Sequence, residues 1–351
     1  MAKKILKMAV AGVNNTGIGN VYVNTILHMS NTELVAICDI NEDKVKERAT
    51  FYGLESEKVF TDYREMIKKC DIDALCIATK DQAHKEIAIA AMEAGIDVLC
   101  EKPMSLKAEE CCEMIDVSDR TGRKLMIGQL CRFTPSFLLA KKMVDAGEIG
   151  DLFFVESEYA HKYSNNPNGW RADPDRHIVI GGGCHAVDLL RWIVGDPVEV
   201  SAYGNHMVND GWEYDDCVVA NMKFENNVIG KVMVSGGCRR AYTMRTCLYG
   251  TEGTIIVDNT SDTLSLYKEE FGGMKQYFDT PMHNLEIKIP VTINNHNVPA
   301  ELDAFVNILL NDEEVTIDGI QGCNTVIACE AIVESSKTGK VVKPVYKTRS
   351  N

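Results

Sequence analysis

From residue 8 to residue 128, short apolar runs alternate with segments of helical period. Met8-Ala9-Val10-Ala11 reads as a buried strand that stops at Gly12, and a helix is predicted over 19–29. A second buried strand covers 34–38 and ends at Asp39. Asn41 then caps a charged helix running to residue 52. A strand at 74–78 precedes a helix over 82–94, closed by Gly95. The strand at 96–100 runs into Glu101-Lys102-Pro103, followed by a helix over 108–120 and a strand at 125–128. Such alternation predicts right-handed βαβ units and a doubly wound parallel sheet. After Gly128 the period changes. A helix over 134–146 ends at Gly147, and alternating strands dominate 152–256, with Asn226-Asn227 as a hairpin turn. Helices are expected at 185–194, 299–310 and 321–336, before a short strand at 341–342. The fold class expected is therefore α/β: an N-terminal parallel sheet, then an α+β region on a large, mostly antiparallel open sheet. The boundary falls between residues 128 and 129.

Composition narrows the class. Apolar residues make up 45% of the chain and charged residues 25%, as in an ordinary globular protein. A net charge of -14 argues against nucleic acid or an anionic membrane as partner. No apolar run approaches the ~20 residues of a membrane span, and the lysine-bearing N-terminus runs straight into a strand rather than a signal-peptide core. The 13 cysteines lie mostly in apolar runs and include no CxxC pair, so the expectation is a reducing cytoplasm, no disulfide framework and no metal site.

Four clusters carry candidate chemistry. The first turn, Gly12-Val13-Asn14-Asn15-Thr16-Gly17-Ile18-Gly19, follows the strand–glycine–helix order of a dinucleotide fingerprint, with Asn14 in the place of the second glycine. Asp39 at the end of the next strand suits a ribose diol and repels a 2′-phosphate, which favours NAD over NADP. It also suits the plain role of a cap. Glu101-Lys102-Pro103 puts a charged pair where a parallel sheet builds its sites. A solvated turn is the alternative. In Gly181-Gly182-Gly183-Cys184-His185-Ala186-Val187-Asp188, His185 opens a predicted helix, where the dipole disfavours imidazolium and leaves a base near neutral pH. A buried, hydrogen-bonded histidine fits the same pattern. Upstream, Trp170, Arg171, Asp173 and His177 form an aromatic, polar loop suited to polyols, or simply to the surface.

In this order the residues resemble the Gfo/Idh/MocA family of glucose-fructose oxidoreductase and inositol dehydrogenase, over almost the whole chain. The match takes in the glycine turn, Asp39, Ile77-Ala78-Thr79 with His84, Glu101-Lys102-Pro103, Gly128 with Arg132-Phe133, and Gly183-x-His185-x-x-Asp188. The resemblance implies a Rossmann domain over 1–128 and a substrate-binding and oligomerisation domain over 129–351, whose last helix can pack back on the first. It implies that Gly12, Asn14, Thr16, Gly17, Ile18 and Asp39 hold NAD. Thr79, His84, Glu101, Lys102 and Gln129 would then lie toward its nicotinamide end. It further implies that Lys102 and His185 are catalytic, the lysine bonding the reacting hydroxyl and the histidine taking its proton. Arg132 and Asp188 would join them on a sugar, glycoside or polyol, where the loop reading also places Trp170, Arg171 and His177. The family expectation is a homodimer or homotetramer built on the second sheet.

Three positions depart from the family pattern. Asn14 replaces a glycine, Thr79-Lys80-Asp81 replaces Thr-Pro-Asn, and Gly181 stands where dehydrogenases of the family carry aspartate. The last change keeps two other readings open: a redox-neutral enzyme with tightly bound NAD, and a non-catalytic dinucleotide or sugar sensor.

Overall fold

The computed structural model describes residues 5–13, 17–163, 166–268 and 285–349. It divides into two compact units, one of residues up to 130, 297–327 and 346 onward, the other of 131–296 and 328–345. The division is thus not a single cut: a stretch of the C-terminal third belongs to the first unit.

In the first unit the strands are β1 (Leu6–Ala11), β2 (Thr32–Cys38), β3 (Val59–Phe60), β4 (Ala74–Ile77), β5 (Asp97–Glu101) and β6 (Leu125–Gly128). Between them run α1 (Ile18–His28), α2 (Glu42–Tyr52), α3 (Tyr63–Lys69), α4 (His84–Glu93) and α5 (Ala108–Thr121). All neighbouring strands pair in parallel, in the order β3-β2-β1-β4-β5-β6. That order reverses direction between β1 and β4, which opens a crevice at the carboxyl ends of these strands. Strands covered on both faces read as unbroken apolar runs, and every residue of β4 and β6 is buried. Sequence periodicity does not announce β3 or α3: two residues carry no period, and α3 buries only Tyr63 and Met66.

The second unit contains α6 (Pro135–Asp145), β7 (Leu152–Ala160), α7 (Ile178–Gly181), α8 (Cys184–Val194), β8 (Pro197–Asn205), β9 (Cys217–Phe224), β10 (Ile229–Ser235), β11 (Thr243–Gly250), β12 (Gly253–Asp258), β13 (Thr263–Lys268) and β14 (Leu285–Pro290). Its sheet has the order β14-β13-β12-β11-β7-β10-β9-β8. Only the β7–β10 pair is parallel. Along β9 buried and exposed positions alternate strictly after Cys217, as a sheet covered on one face requires. The hairpin at Asn226-Asn227 joins β9 to β10, and Asn227 takes the left-handed φ of 64° that such a turn needs. The strands run on past residue 256 through β13 and β14, and residues 341–342 form no full strand, only a bridge from Val342 to Val200. α9 (Val298–Asn311) belongs to the first unit, and α10 (Gly319–Thr338) passes from the first unit into the second.

No helix among the described residues is long and apolar enough to cross a membrane.

Candidate active site

The crevice in the first unit is built mainly from backbone. Gly12 leaves β1 with φ +94°, and its N–H donates to the Cys38 carbonyl at 2.8 Å. A Cβ there would lie 2.3 Å from the Ala78 oxygen, so only glycine fits. Gly19 plays the complementary part on α1: a Cβ would meet the Gly12 carbonyl oxygen at 1.9 Å. These two glycines let the helix start close against the strand turn. Gly17 caps α1 in extended backbone with no side-chain cap, Ile18 is the first helical residue, and the first turn holds no acid. Its amides are therefore offered to an anionic ligand, as a pyrophosphate site requires. Asn14 and Thr16 lie outside the described residues. Asp39 follows β2 directly, half-buried, with one carboxylate oxygen accepting from the Asn41 N–H at 3.0 Å. Bare glycine backbone, an open helix end and an acid after the second strand fit a dinucleotide.

Further along the same strand ends, Thr79 follows β4 and Gln129 follows β6. Gln129 is buried, and its side-chain oxygen has no hydrogen-bond partner among the described residues. His84, also buried, sets Nδ1 at 2.9 Å from the Pro103 carbonyl. A carbonyl only accepts, so Nδ1 carries the hydrogen of the neutral ring. Burial lowers the His84 pKa and keeps it neutral, with Asp81 opposing. Glu101, 6% exposed, ends β5. Its Oε2 accepts from the Lys102 N–H at 3.2 Å. Its Oε1 lies 2.9 Å from the Tyr22 hydroxyl, which is also 2.7 Å from Glu301 Oε2. Burial raises the Glu101 pKa, while the Lys102 charge opposes the rise. Lys102 is half-buried, and its bond to Pro103 is cis.

The second unit's candidate residues are held by side chains instead. His185, 2% exposed, sits in the first turn of α8, with Nδ1 3.3 Å from Cys131 Sγ and its ring stacked on Tyr159 at 6.2 Å. Asp188 is fully buried one turn on. Arg132 grips it with two bonds, Nε to Oδ2 at 2.8 Å and Nη2 to Oδ1 at 2.7 Å, while Arg191 Nη1 stands 3.9 Å away. The two predicted substrate residues Arg132 and Asp188 are therefore paired with each other. Arg171 and Arg176 stack on Trp170 with guanidinium carbons 4.4 and 4.3 Å from the ring centre. Arg176 is buried and donates to the Gly181 carbonyl at 2.8 Å. His177 acts locally, its Nδ1 accepting from the Val179 N–H and capping α7. Burial pushes its pKa down to about 4. A neutral ring 4.0 Å from Asp215 makes no ion pair with it.

Residues 6–129 match the family model for the oxidoreductase family with NAD-binding Rossmann fold, and residues 137–256 match the Gfo/Idh/MocA C-terminal domain. The chain belongs to the Gfo/Idh/MocA family. As a member it is an NAD-dependent dehydrogenase. It is 29% identical over 244 residues to inositol 2-dehydrogenase 2 of Saccharopolyspora erythraea, across 68% of this chain and 70% of that protein. It is 28% identical over 277 residues to myo-inositol 2-dehydrogenase of Thermotoga maritima, across 76% of this chain and 79% of that one. The fold is similar to that of levoglucosan dehydrogenase in complex with NADH, with TM-score 0.87 and 23% identity over 98% of this chain and 100% of that one.

For a Gfo/Idh/MocA member, five residues here escape motif reading. Gly19 is the glycine that packs helix on strand, two residues beyond the fingerprint position. Tyr22 and Glu301 flank Glu101. An acid inside the apolar stripe Val298, Leu302, Phe305 of α9 is the sequence signal that marks Glu301. Cys131 contacts His185 as one more apolar-run cysteine. Arg176 explains Gly181: a Cβ at 181 would meet its guanidinium at 2.3 Å. The family aspartate's place is thus next to a buried cation.

Proposed function

We propose that this dehydrogenase oxidises a secondary hydroxyl of a sugar, glycoside or cyclitol. Support for the substrate class comes from its relatives, whose names specify inositol and levoglucosan. The observation that carries the reading is Glu101-Lys102 at the carboxyl end of β5, beside the glycine and Asp39 features of a dinucleotide crevice. Gly12, Gly17, Ile18 and Asp39 are proposed to hold the cofactor, with Asn14 and Thr16 completing the turn. Thr79, His84 and Gln129 line the nicotinamide end. Bound NAD supplies a hydride acceptor. Lys102 donates a hydrogen bond to the reacting oxygen and stabilises its developing charge. His185 takes the hydroxyl proton on Nε2 as general base, oriented through Nδ1 by Cys131. Arg132 and Asp188 act as one paired unit that fixes the His185 helix, while Trp170 and Arg171 offer an aromatic face and donors to the substrate. His177 holds this loop's return into α7.

The relatives are named dehydrogenases, and their names give no support to a redox-neutral enzyme or a sensor. We also propose a homo-oligomer formed through the outward face of the second sheet, where Phe153, Val219 and Ile229 are exposed. Sedimentation of the purified protein tests it.

The deciding experiment is a panel of cyclitols, anhydrosugars and glycosides with NAD, read as NADH absorbance and repeated with Lys102→Ala. Turnover by the native enzyme and its collapse in the variant are expected. Equal turnover in both overturns the scheme.

A further inference from the structure

Tyr22, Glu101 and Glu301 bring two carboxyls to one phenol in a buried setting. Tyr22 and Glu301 are fully buried and Glu101 is 6% exposed. The hydroxyl oxygen is 2.9 Å from Glu101 Oε1 and 2.7 Å from Glu301 Oε2. A phenol has one hydrogen to donate. If both carboxyls were ionised, one would face a tyrosine lone pair at hydrogen-bond distance, in a low-dielectric interior with a second negative charge alongside. Such an arrangement is repulsive twice over. The distances are satisfied only when one carboxyl carries a proton and donates it to the phenol oxygen while the phenol donates to the other.

The surroundings choose which. Glu101 has the Lys102 N–H on its second oxygen and the Lys102 charge nearby, both favouring its anion. Glu301 Oε1 has no hydrogen-bond partner among the described residues. The titratable groups around the trio are Cys76 on β4, Cys100 on β5, Asp81 before α4, and Lys102. Lys102 is the one cation of the set, and it adjoins Glu101 in the chain. Burial and the neighbouring Glu101 charge push the Glu301 pKa well up, in the same direction.

We infer that Glu301 holds the single carboxyl proton of a Glu301–Tyr22–Glu101 chain and is a positioning residue for the Glu101–Lys102 end of the site. The neutral acid occupies the phenol's lone pair, which commits the phenol hydrogen to Glu101. Glu101 is thereby fixed as an anion beside Lys102, whose amine bonds the substrate oxygen. This last consequence rests on the proposed function; the location of the proton does not.

Two measurements on the full-length protein test the chain. Infrared difference spectroscopy of the native protein minus Glu301→Gln at neutral pH should show the carbonyl band of one protonated carboxylic acid. A carboxylate band in its place overturns the inference, whatever Lys102→Ala does. Conversely, full activity of Lys102→Ala removes the reaction scheme and leaves that band standing. The second measurement is the pH profile of kcat/KM in Tyr22→Phe. Without the phenol hydrogen Glu101 protonates more readily, so the acid limb should move up by about one pH unit, with activity recovered at higher pH. A profile lowered by the same factor at every pH, as a purely structural role gives, overturns the positioning role.

Discussion

Glu101 and Asp188 are both buried carboxylates in candidate site regions, one in each unit, and their surroundings are opposite. Glu101 is met by a phenol, a backbone N–H and a second acid, and burial pushes its pKa up. Asp188 is met by two guanidiniums, one of them bidentate. The first arrangement leaves a carboxyl whose charge depends on how its neighbours place their hydrogens. The second holds its carboxylate in a bidentate, charge-assisted grip. The same contrast runs through both regions. In the first unit, the proposed function hangs on strand ends, bare glycines and a helix N-terminus. In the second, it hangs on arginines, aromatics and a histidine held by side chains.

The sharpest test of this contrast is Lys102→Ala. If the first unit supplies the tuned, reactive group, removing the ammonium should lower kcat by about 10²- to 10⁴-fold. Fluorescence titration should find NAD affinity little changed, because the glycine turn and Asp39 remain. Loss of NAD binding in parallel with kcat would make Lys102 a cofactor residue and erase the contrast.

The difference between the units also governs what can be read from sequence. Continuous apolar runs and glycine stops are one-dimensional signals, so β1, β2, β4, β5 and β6 and the turn at Gly12 are legible. So are Asp39, Glu101 and Lys102, which lie at fixed places relative to those strands. β13 escapes because its buried face is only Leu264 and Leu266, and β14 because it is an exposed edge held by backbone pairing to β13. Tyr22–Glu101–Glu301 and Cys131–His185 join residues 79, 200 and 54 positions apart along the chain. For those, sequence shows at most one odd residue, such as an acid in an apolar helix stripe, and no partner. The Arg132–Asp188 pair is half legible: both residues stand in the family motif, but their bond to each other does not.

Arg132→Met breaks the comparison from the other side. It takes the bidentate partner from Asp188 and leaves Arg191 at 3.9 Å. Removing one partner of a buried ion pair costs about 3–5 kcal/mol, and denaturant unfolding should register a loss of that order. Loss of activity without loss of stability would instead make Arg132 a direct substrate ligand.

His177 gives the second unit a pH signature. Its folded pKa, about 4, lies below the ordinary histidine value of 6.5. Between those limits the unfolded chain takes up a proton that the folded one refuses. Stability is therefore intact above pH 6.5 and falls as pH drops toward 4, by about 3 kcal/mol for a fully expressed shift. His177→Asn keeps an oxygen to cap Val179 and cannot titrate. Its unfolding midpoint should lose this part of the acid dependence. An unchanged acid slope in the variant would show that His177 is not the group responsible.

Gly181 carries the smallest expected effect and asks most directly how the second unit differs from its family. A Cβ added there would stand 2.3 Å from the Arg176 guanidinium, which also donates to the Gly181 carbonyl at 2.8 Å. The obstructing atoms are the far end of a flexible side chain, so Gly181→Ala should displace Arg176 rather than the backbone. The cost is then of the order of the hydrogen bond lost, about 1 kcal/mol. Gly181→Asp adds the same Cβ but extends it with a carboxylate toward the guanidinium. If Arg176 fills the place of the family carboxylate through its position alone, both variants destabilise alike. If the charge there matters, Gly181→Asp pairs with Arg176, recovers the stability that Gly181→Ala loses, and changes KM across the polyol panel while kcat holds. Denaturant unfolding of the two variants side by side, followed by KM for each substrate, separates these outcomes.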